Sequence, residues 1–125
     1  MKVYYFTYGS NMDKEDLDNW CRKKGHKSIN FLSISPAKLI GYKLVFNYYS
    51  SIRGDSAANI MESQGDCVYG LLVEIEDHDL ETIRKKEGFP NYYDEVCVKV
   101  KKFDRTFVEG VKTYKVVKNK EISEH

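Results

Sequence analysis

Two short segments carry residue types that could do chemistry. At Tyr8-Gly9-Ser10-Asn11 a run rich in β-formers meets a glycine and two small polar residues just before a helical pattern begins. A turn that leaves a strand and at once opens a helix presents free backbone N–H groups and a favourable dipole, so it can hold a carboxylate or an oxyanion. A plain capping turn uses the same residue types, and the pattern is neither GxGxxG nor a P-loop. The second segment is Glu87-Gly88-Phe89-Pro90, with an acid in the last turn of a predicted helix, the end at which the macrodipole disfavours negative charge. Lys85 and Lys86 beside it soften that cost and suit an exposed surface glutamate. Were Glu87 instead to face an apolar, tyrosine-lined cavity, desolvation would disfavour its charge and fit it for proton transfer near neutral pH. Tyr92, Tyr93 and Tyr114 could supply rings and hydroxyls to such a cavity, although strand-face packing is the ordinary use of tyrosine in a chain that has ten.

Other chemistries find no foothold. The sequence has no Ser-His-Asp, Cys-His or HExxH arrangement. Cys21, Cys67 and Cys97 are odd in number and widely spaced, with no CxxC, so neither a disulfide framework nor a zinc site is expected. His26, His78 and His125 lie in lysine-rich, acidic or terminal settings that suit solvated side chains. Ser56-Ala57-Ala58-Asn59-Ile60 reads as a small-residue strand against a close neighbour, and Arg53, in the loop Tyr48 to Ser56, reads as a solvated arginine or the partner of a second carboxylate.

The elements that must position these groups follow from periodicity and punctuation. Lys2 to Tyr8 is a strand ending in a tight turn. Met12 to Lys24 is an amphipathic helix, with Leu17, Trp20 and Cys21 at i, i+3, i+4, acids early, bases late, and Gly25 as a stop; Ser10, Asn11 and Asp13 are all candidate caps. Ile34 to Tyr49 is extended and broken by Pro36 and Gly41, hence two strand pieces or one with a bulge. Ala57 to Met61 is a short apolar piece. Gln64-Gly65-Asp66 predicts a turn into Cys67 to Ile75, a strand apolar enough to be buried on both faces. Asp77 to Glu87 is a short helix stopped by Gly88, with Pro90 beyond. Val96, Val98 and Val100 alternate with Cys97, Lys99 and Lys101 in a half-buried strand, Val111 to Val117 is the last strand, and Lys118 to His125 a frayed tail. The order β-α-β-β-β-α-β-β, with strands joined mostly by turns, predicts an α+β fold around a mixed, mostly antiparallel, barrel-like sheet with two short helices.

A chain of 125 residues is the usual size of one domain, so 1–125 is read as a single unit. With 42% hydrophobic and 14% aromatic residues it can bury a core, and a net charge of +1 supplies no field that would draw it to nucleic acid or anionic lipid. Eight bases against four acids in residues 98 to 125, and five acids in residues 74 to 81, read as solvated faces. The longest apolar run near the N-terminus, Val3 to Tyr8, is too short for a signal sequence or a membrane span, so a cytoplasmic protein is expected.

In order and spacing, five segments together resemble the γ-glutamylcyclotransferase-like family, including its AIG2-like branch. They are Tyr5 to Met12, Leu39 to Asn47, Ala57 to Ile60, Gly65 to Ile75, and Glu87-Gly88 followed by Tyr93 and the Val96 to Val100 alternation. The resemblance implies a closed or nearly closed mixed barrel with a pocket at one end. It also implies conversion of a γ-glutamyl compound into 5-oxoproline, with release of an amino acid, peptide or amine and without cofactor or metal. Glu87 matches the family's catalytic glutamate and would move the protons. Thr7, Tyr8, Gly9, Ser10 and Asn11 would hold the substrate through backbone N–H groups, at its α-carboxylate or at the developing oxyanion. Tyr114 matches a late-strand tyrosine that contacts substrate, and Tyr93 a pocket tyrosine. Asp94-Glu95 stands where relatives often carry a neutral or basic pair, and acids near the pocket would weaken binding of an anionic substrate. The expected partner is a small γ-glutamyl compound, with no nucleic acid and no membrane; monomer and homodimer are both open. The alternatives are a non-catalytic module that binds a small carboxylate on the same fold, and a γ-glutamylamine cyclotransferase.

Overall fold

The computed structural model describes residues 1–8, 14–50, 55–89 and 91–117, without the side chains of residues 16, 47–50 and 55–57. Its elements are β1 (Lys2–Thr7), α1 (Lys14–Lys23), β2 (Ser33–Ser50), β3 (Asp55–Glu76), α2 (Asp77–Glu87), β4 (Tyr93–Lys102) and β5 (Phe107–Val116). The strands close into a barrel in the order β1-β3-β2-β4-β5. Neighbours are antiparallel except β1 and β5, which run parallel where Tyr5 stands beside Lys112. Across that seam the Thr113 hydroxyl donates to the Phe6 carbonyl at 2.9 Å. Among the described residues no helix is long and apolar enough to cross a membrane.

Period-2 alternation on the strands creates two cores. Phe6, Leu39, Ile60, Leu72, Val100 and Val111 come from all five strands and fill the barrel. Residues an odd number of positions away on the same strands point the other way: Tyr5, Val73, Ile75 and Tyr114 lie on the outside, beneath Leu17 and Cys21 of α1 and Leu80 and Ile83 of α2. β3 comes so close to β1 that a Cβ on Gly70 would stand 2.4 Å from the Thr7 carbonyl oxygen and 2.7 Å from the Phe6 ring. Only glycine fits there.

The sheet departs from the sequence reading in two respects. Gln64-Gly65-Asp66 does not reverse the chain, and the two apolar pieces on either side of it belong to the single 22-residue β3, so the described residues form five strands where six were expected. Pairing with β2 steps from Ile40↔Cys67 to Tyr42↔Glu62, which leaves Ser63 to Asp66 bulged out. Gly41 and Gly65 sit at the shift with φ of 88° and 91°, so both strands bend together where a turn would have parted them. Nor is β3 buried on both faces throughout. Tyr69 is 64% exposed, because the helices cover only the end of the strand that carries Val73 and Ile75.

Candidate active site

α2 ends where its sequence said it would, and the ending aims Glu87. Gly88 adopts the left-handed conformation (φ 73°, ψ 34°). Its N–H donates to the Lys85 carbonyl at 3.2 Å, and that of Phe89 to the Arg84 carbonyl at 3.0 Å. Leu80 and Ile83 are buried, and Glu87 follows them at i+7 and i+4. The acid therefore lies on the stripe that faces the barrel, and it is half-buried. Beyond the cap the Tyr92 N–H donates to the Gly88 carbonyl at 2.9 Å, and the Tyr92 carbonyl accepts from Val117 at 3.0 Å, so the connection into β4 is tied to the end of β5.

Four strand ends gather beside this helix end. Tyr8, just past β1, donates its hydroxyl to the Tyr114 backbone carbonyl on β5. Tyr93, the first residue of β4, donates its hydroxyl to the Ala58 carbonyl on β3 at 3.0 Å. Asn59, fully buried, accepts from the Val116 N–H through Oδ1 at 2.8 Å and so links β3 to the end of β5. Burial pushes the Tyr8 phenol well above its ordinary pKa, and the nearby Tyr93, Glu87 and Tyr5 add to the shift. Tyr8 thus remains a neutral hydrogen-bond donor within the electrostatic reach of Glu87. Thr7 is fully buried, and its hydroxyl has no hydrogen-bond partner among the described residues.

Of the residues picked out in the sequence, Thr7, Tyr8, Glu87 and Tyr93 therefore meet at one end of the barrel. Tyr114 contributes there through its carbonyl, while its ring is buried against Tyr5 with centroids 5.9 Å apart. Its hydroxyl points elsewhere, donating to Glu95 Oε1 at 2.7 Å. Gly9, Ser10, Asn11 and Arg53 lie outside the described residues.

Sequence reasoning missed the partner of Glu95. Arg84 on α2 grips this carboxylate with both arms of its fork, Nε to Oε1 at 2.7 Å and Nη2 to Oε2 at 3.0 Å, and also reaches Glu81. The hydrogen bonds from Arg84 hold the Glu95 carboxyl below its ordinary value, against burial, with Tyr114 adding to the effect. Tyr114 in turn is pushed up by burial and by Glu95. Glu95, expected to weaken binding of an anionic substrate, is therefore already paired on the outer side of the sheet. The one sequence signal for it was a helix arginine one turn ahead of Glu87.

Among the described residues no group of three or more His, Cys, Asp or Glu side chains is placed to hold a metal ion. The family model "Gamma-glutamyl cyclotransferase, AIG2-like" matches residues 5–124. No curated protein matches the sequence. Solved structures resemble it closely in fold. A gamma-glutamyl cyclotransferase superposes with a TM-score of 0.77 at 24% identity, covering 94% of this chain and 68% of that one. YkqA from Bacillus subtilis gives 0.79 at 26% identity, over 98% of this chain and 42% of its own length. A yeast gamma-glutamyl cyclotransferase specific to glutathione gives 0.68 at 10% identity, over 100% and 75%.

Proposed function

From the premise that this chain belongs to the gamma-glutamyl cyclotransferase, AIG2-like family, we propose that it cyclises a γ-glutamyl compound to 5-oxoproline and releases the attached amino acid, peptide or amine. One observation carries the reading. Glu87, at the capped end of α2, lies on that helix's barrel-facing stripe within electrostatic reach of Tyr8, the residue that precedes Gly9-Ser10-Asn11.

The substrate's own α-amine is the nucleophile and its γ-carbonyl the electrophile, so the reaction needs little beyond a folded conformer, a proton shuttle and exclusion of water. The amine arrives mostly protonated. Glu87 first takes the proton that blocks the nitrogen's lone pair. The nitrogen then attacks the γ-carbon, the carbonyl electrons move onto oxygen, and the ring nitrogen sheds a second proton, so that the two protons it loses match the two that the departing amine gains. When the intermediate collapses, the bond to the departing nitrogen breaks and Glu87 returns the proton to it. Backbone N–H groups of the Tyr8 to Asn11 segment hold the α-carboxylate or the developing oxyanion. Tyr8, a neutral donor tied to β5, and Tyr93, tied to β3, supply walls of the site.

The test is 5-oxoproline release from γ-glutamyl amino acids, γ-glutamylamines and glutathione, with wild type and Glu87→Gln side by side. Turnover by wild type alone supports the proposal, and the substrate preferred names the leaving-group class. Equal turnover by both proteins removes Glu87 from the chemistry. A folded wild type that binds these compounds without turning them over is instead a small-carboxylate binding module.

A further inference from the structure

Tyr8, Tyr93 and Glu87, gathered at the barrel end, come from different elements, and each leads within a few residues or hydrogen bonds to a single carboxylate. Glu95 follows Tyr93 by two residues on β4 and stands directly opposite Tyr114 in the ladder with β5. It accepts the Tyr114 hydroxyl at 2.7 Å, while the carbonyl of that same tyrosine receives the Tyr8 hydroxyl. On its other side it holds Arg84 by two hydrogen bonds. Arg84 precedes Glu87 by three residues, about 4.5 Å along the helix axis. The Glu95 side chain is 12% exposed and that of Arg84 28%, so water competes poorly for the pair.

We infer that Arg84 and Glu95 are positioning residues: by locking the last turn of α2 to Tyr114, they set the position of Glu87 against Tyr8. The inference rests on the proposed role of Glu87. α2 stops at Glu87 with Gly88 as its cap; backbone hydrogen bonds tie Gly88 through Tyr92 to Val117, while the Leu80 and Ile83 contacts that seat the helix are non-directional. An apolar seat allows a helix to rotate or slide by a fraction of an ångström at little cost. A bidentate arginine–carboxylate pair does not, because its fork fixes angle as well as distance. For a proton shuttle that must meet an amine in one conformer, a misplacement of about 1 Å costs on the order of 100-fold.

The experiment takes Glu95→Gln, Arg84→Met and the double variant, with Arg84→Lys as the conservative replacement. Val68→Ala, in the barrel interior, is the control that lowers the melting temperature without touching the pair. Two readouts are taken well below the melt: kcat and KM on the best substrate, and amide hydrogen exchange across Arg84 to Gly88. We expect each single variant to lose about 10- to 100-fold in kcat, with KM changed less than about threefold. The double variant should be no worse than either single one, Arg84→Lys should be intermediate, and exchange in the last turn of α2 should rise. Val68→Ala should keep kcat. Multiplicative losses in the double variant, a kcat loss in Val68→Ala of the same size, or unchanged exchange in α2 would each overturn the inference. Were wild type silent on every substrate, the proposed function would fail by itself, and the exchange measurement would still decide whether Glu95 holds the helix end.

Discussion

Both halves of the barrel's outer surface carry strand tyrosines, and those tyrosines have opposite fates. On the half formed by β1, the end of β3 and β5, outward-facing Tyr5, Val73, Ile75 and Tyr114 are buried under the two helices. On the other half, Tyr69, Lys38, Lys101 and Phe107 form a row, each opposite the next across β3, β2, β4 and β5. No helix covers that row. Tyr69 is 64% exposed and Phe107 50% exposed, against 2% for Tyr114. The open half meets its own needs locally: Tyr69 packs edge-on against Phe103, and the Lys99 and Lys101 ammonium groups lie 5.0 and 5.5 Å from the centre of the Phe107 ring. The covered half contains Arg84, Glu95 and Tyr114, whose polar groups have exchanged water for one another. A tyrosine on a strand becomes part of a functional scaffold or a solvated ornament according to what is laid over it.

That contrast can be broken in four ways. The largest effect should come from the edge of the covered half, where Glu87→Gln should keep the fold, judged by circular dichroism, and lower 5-oxoproline formation by about 10²- to 10⁴-fold. Next, Ile83→Ala opens a cavity between α2 and the sheet and should cost about 2–5 kcal/mol in urea unfolding. A loss below about 1 kcal/mol would mean that the helix is only loosely seated.

The third effect depends on pH. Among the described residues, Arg84 on α2 and Tyr114 and Lys112 on β5 are the ionisable groups that act on Glu95, and Arg84 also reaches Glu81. Because the folded protein holds this carboxyl below its ordinary value, ionised Glu95 stabilises the fold above the unfolded value of about 4.3, and that contribution disappears as pH falls through the folded value. Glu95→Gln should therefore cost about 1.5–3 kcal/mol near pH 7 and progressively less in acid. A gap that stays constant with pH would show that the charge contributes nothing. Last, Tyr69→Ser and Phe107→Ser on the open half should each change stability by no more than about 0.5 kcal/mol and leave turnover alone. A large loss at either position would erase the contrast.

Much of the scaffold was legible in advance. Gly88 and Pro90 bounded α2 at Glu87, but the flanking lysines suited an exposed acid, and only the packed helix shows Glu87 half-buried on the stripe of Leu80 and Ile83. Gly65 was harder to read. A glycine with a positive φ serves a turn and a bulge equally well, and only the partner strand, kinked at Gly41, selects the bulge. Tyr114 illustrates the same limit at the site. Its resemblance to a substrate-contacting tyrosine says nothing of where its hydroxyl goes, which depends on Glu95, 19 residues away.

By itself the sequence determined whatever is decided within a few residues: the period of each strand, the start and stop of α2, and the acid at its end. Tertiary structure alone decided which strand faces the helices cover, which residue answers the Glu95 charge, and which polar groups meet at the barrel end. Those outcomes rest on desolvation and on contacts between residues far apart in the chain, such as Tyr8 with Tyr114 and Asn59 with Val116, separated by 106 and 57 positions. Local periodicity records that a side chain points outward. It does not record what will be packed against it, and the energy of a charge or a hydroxyl depends on that.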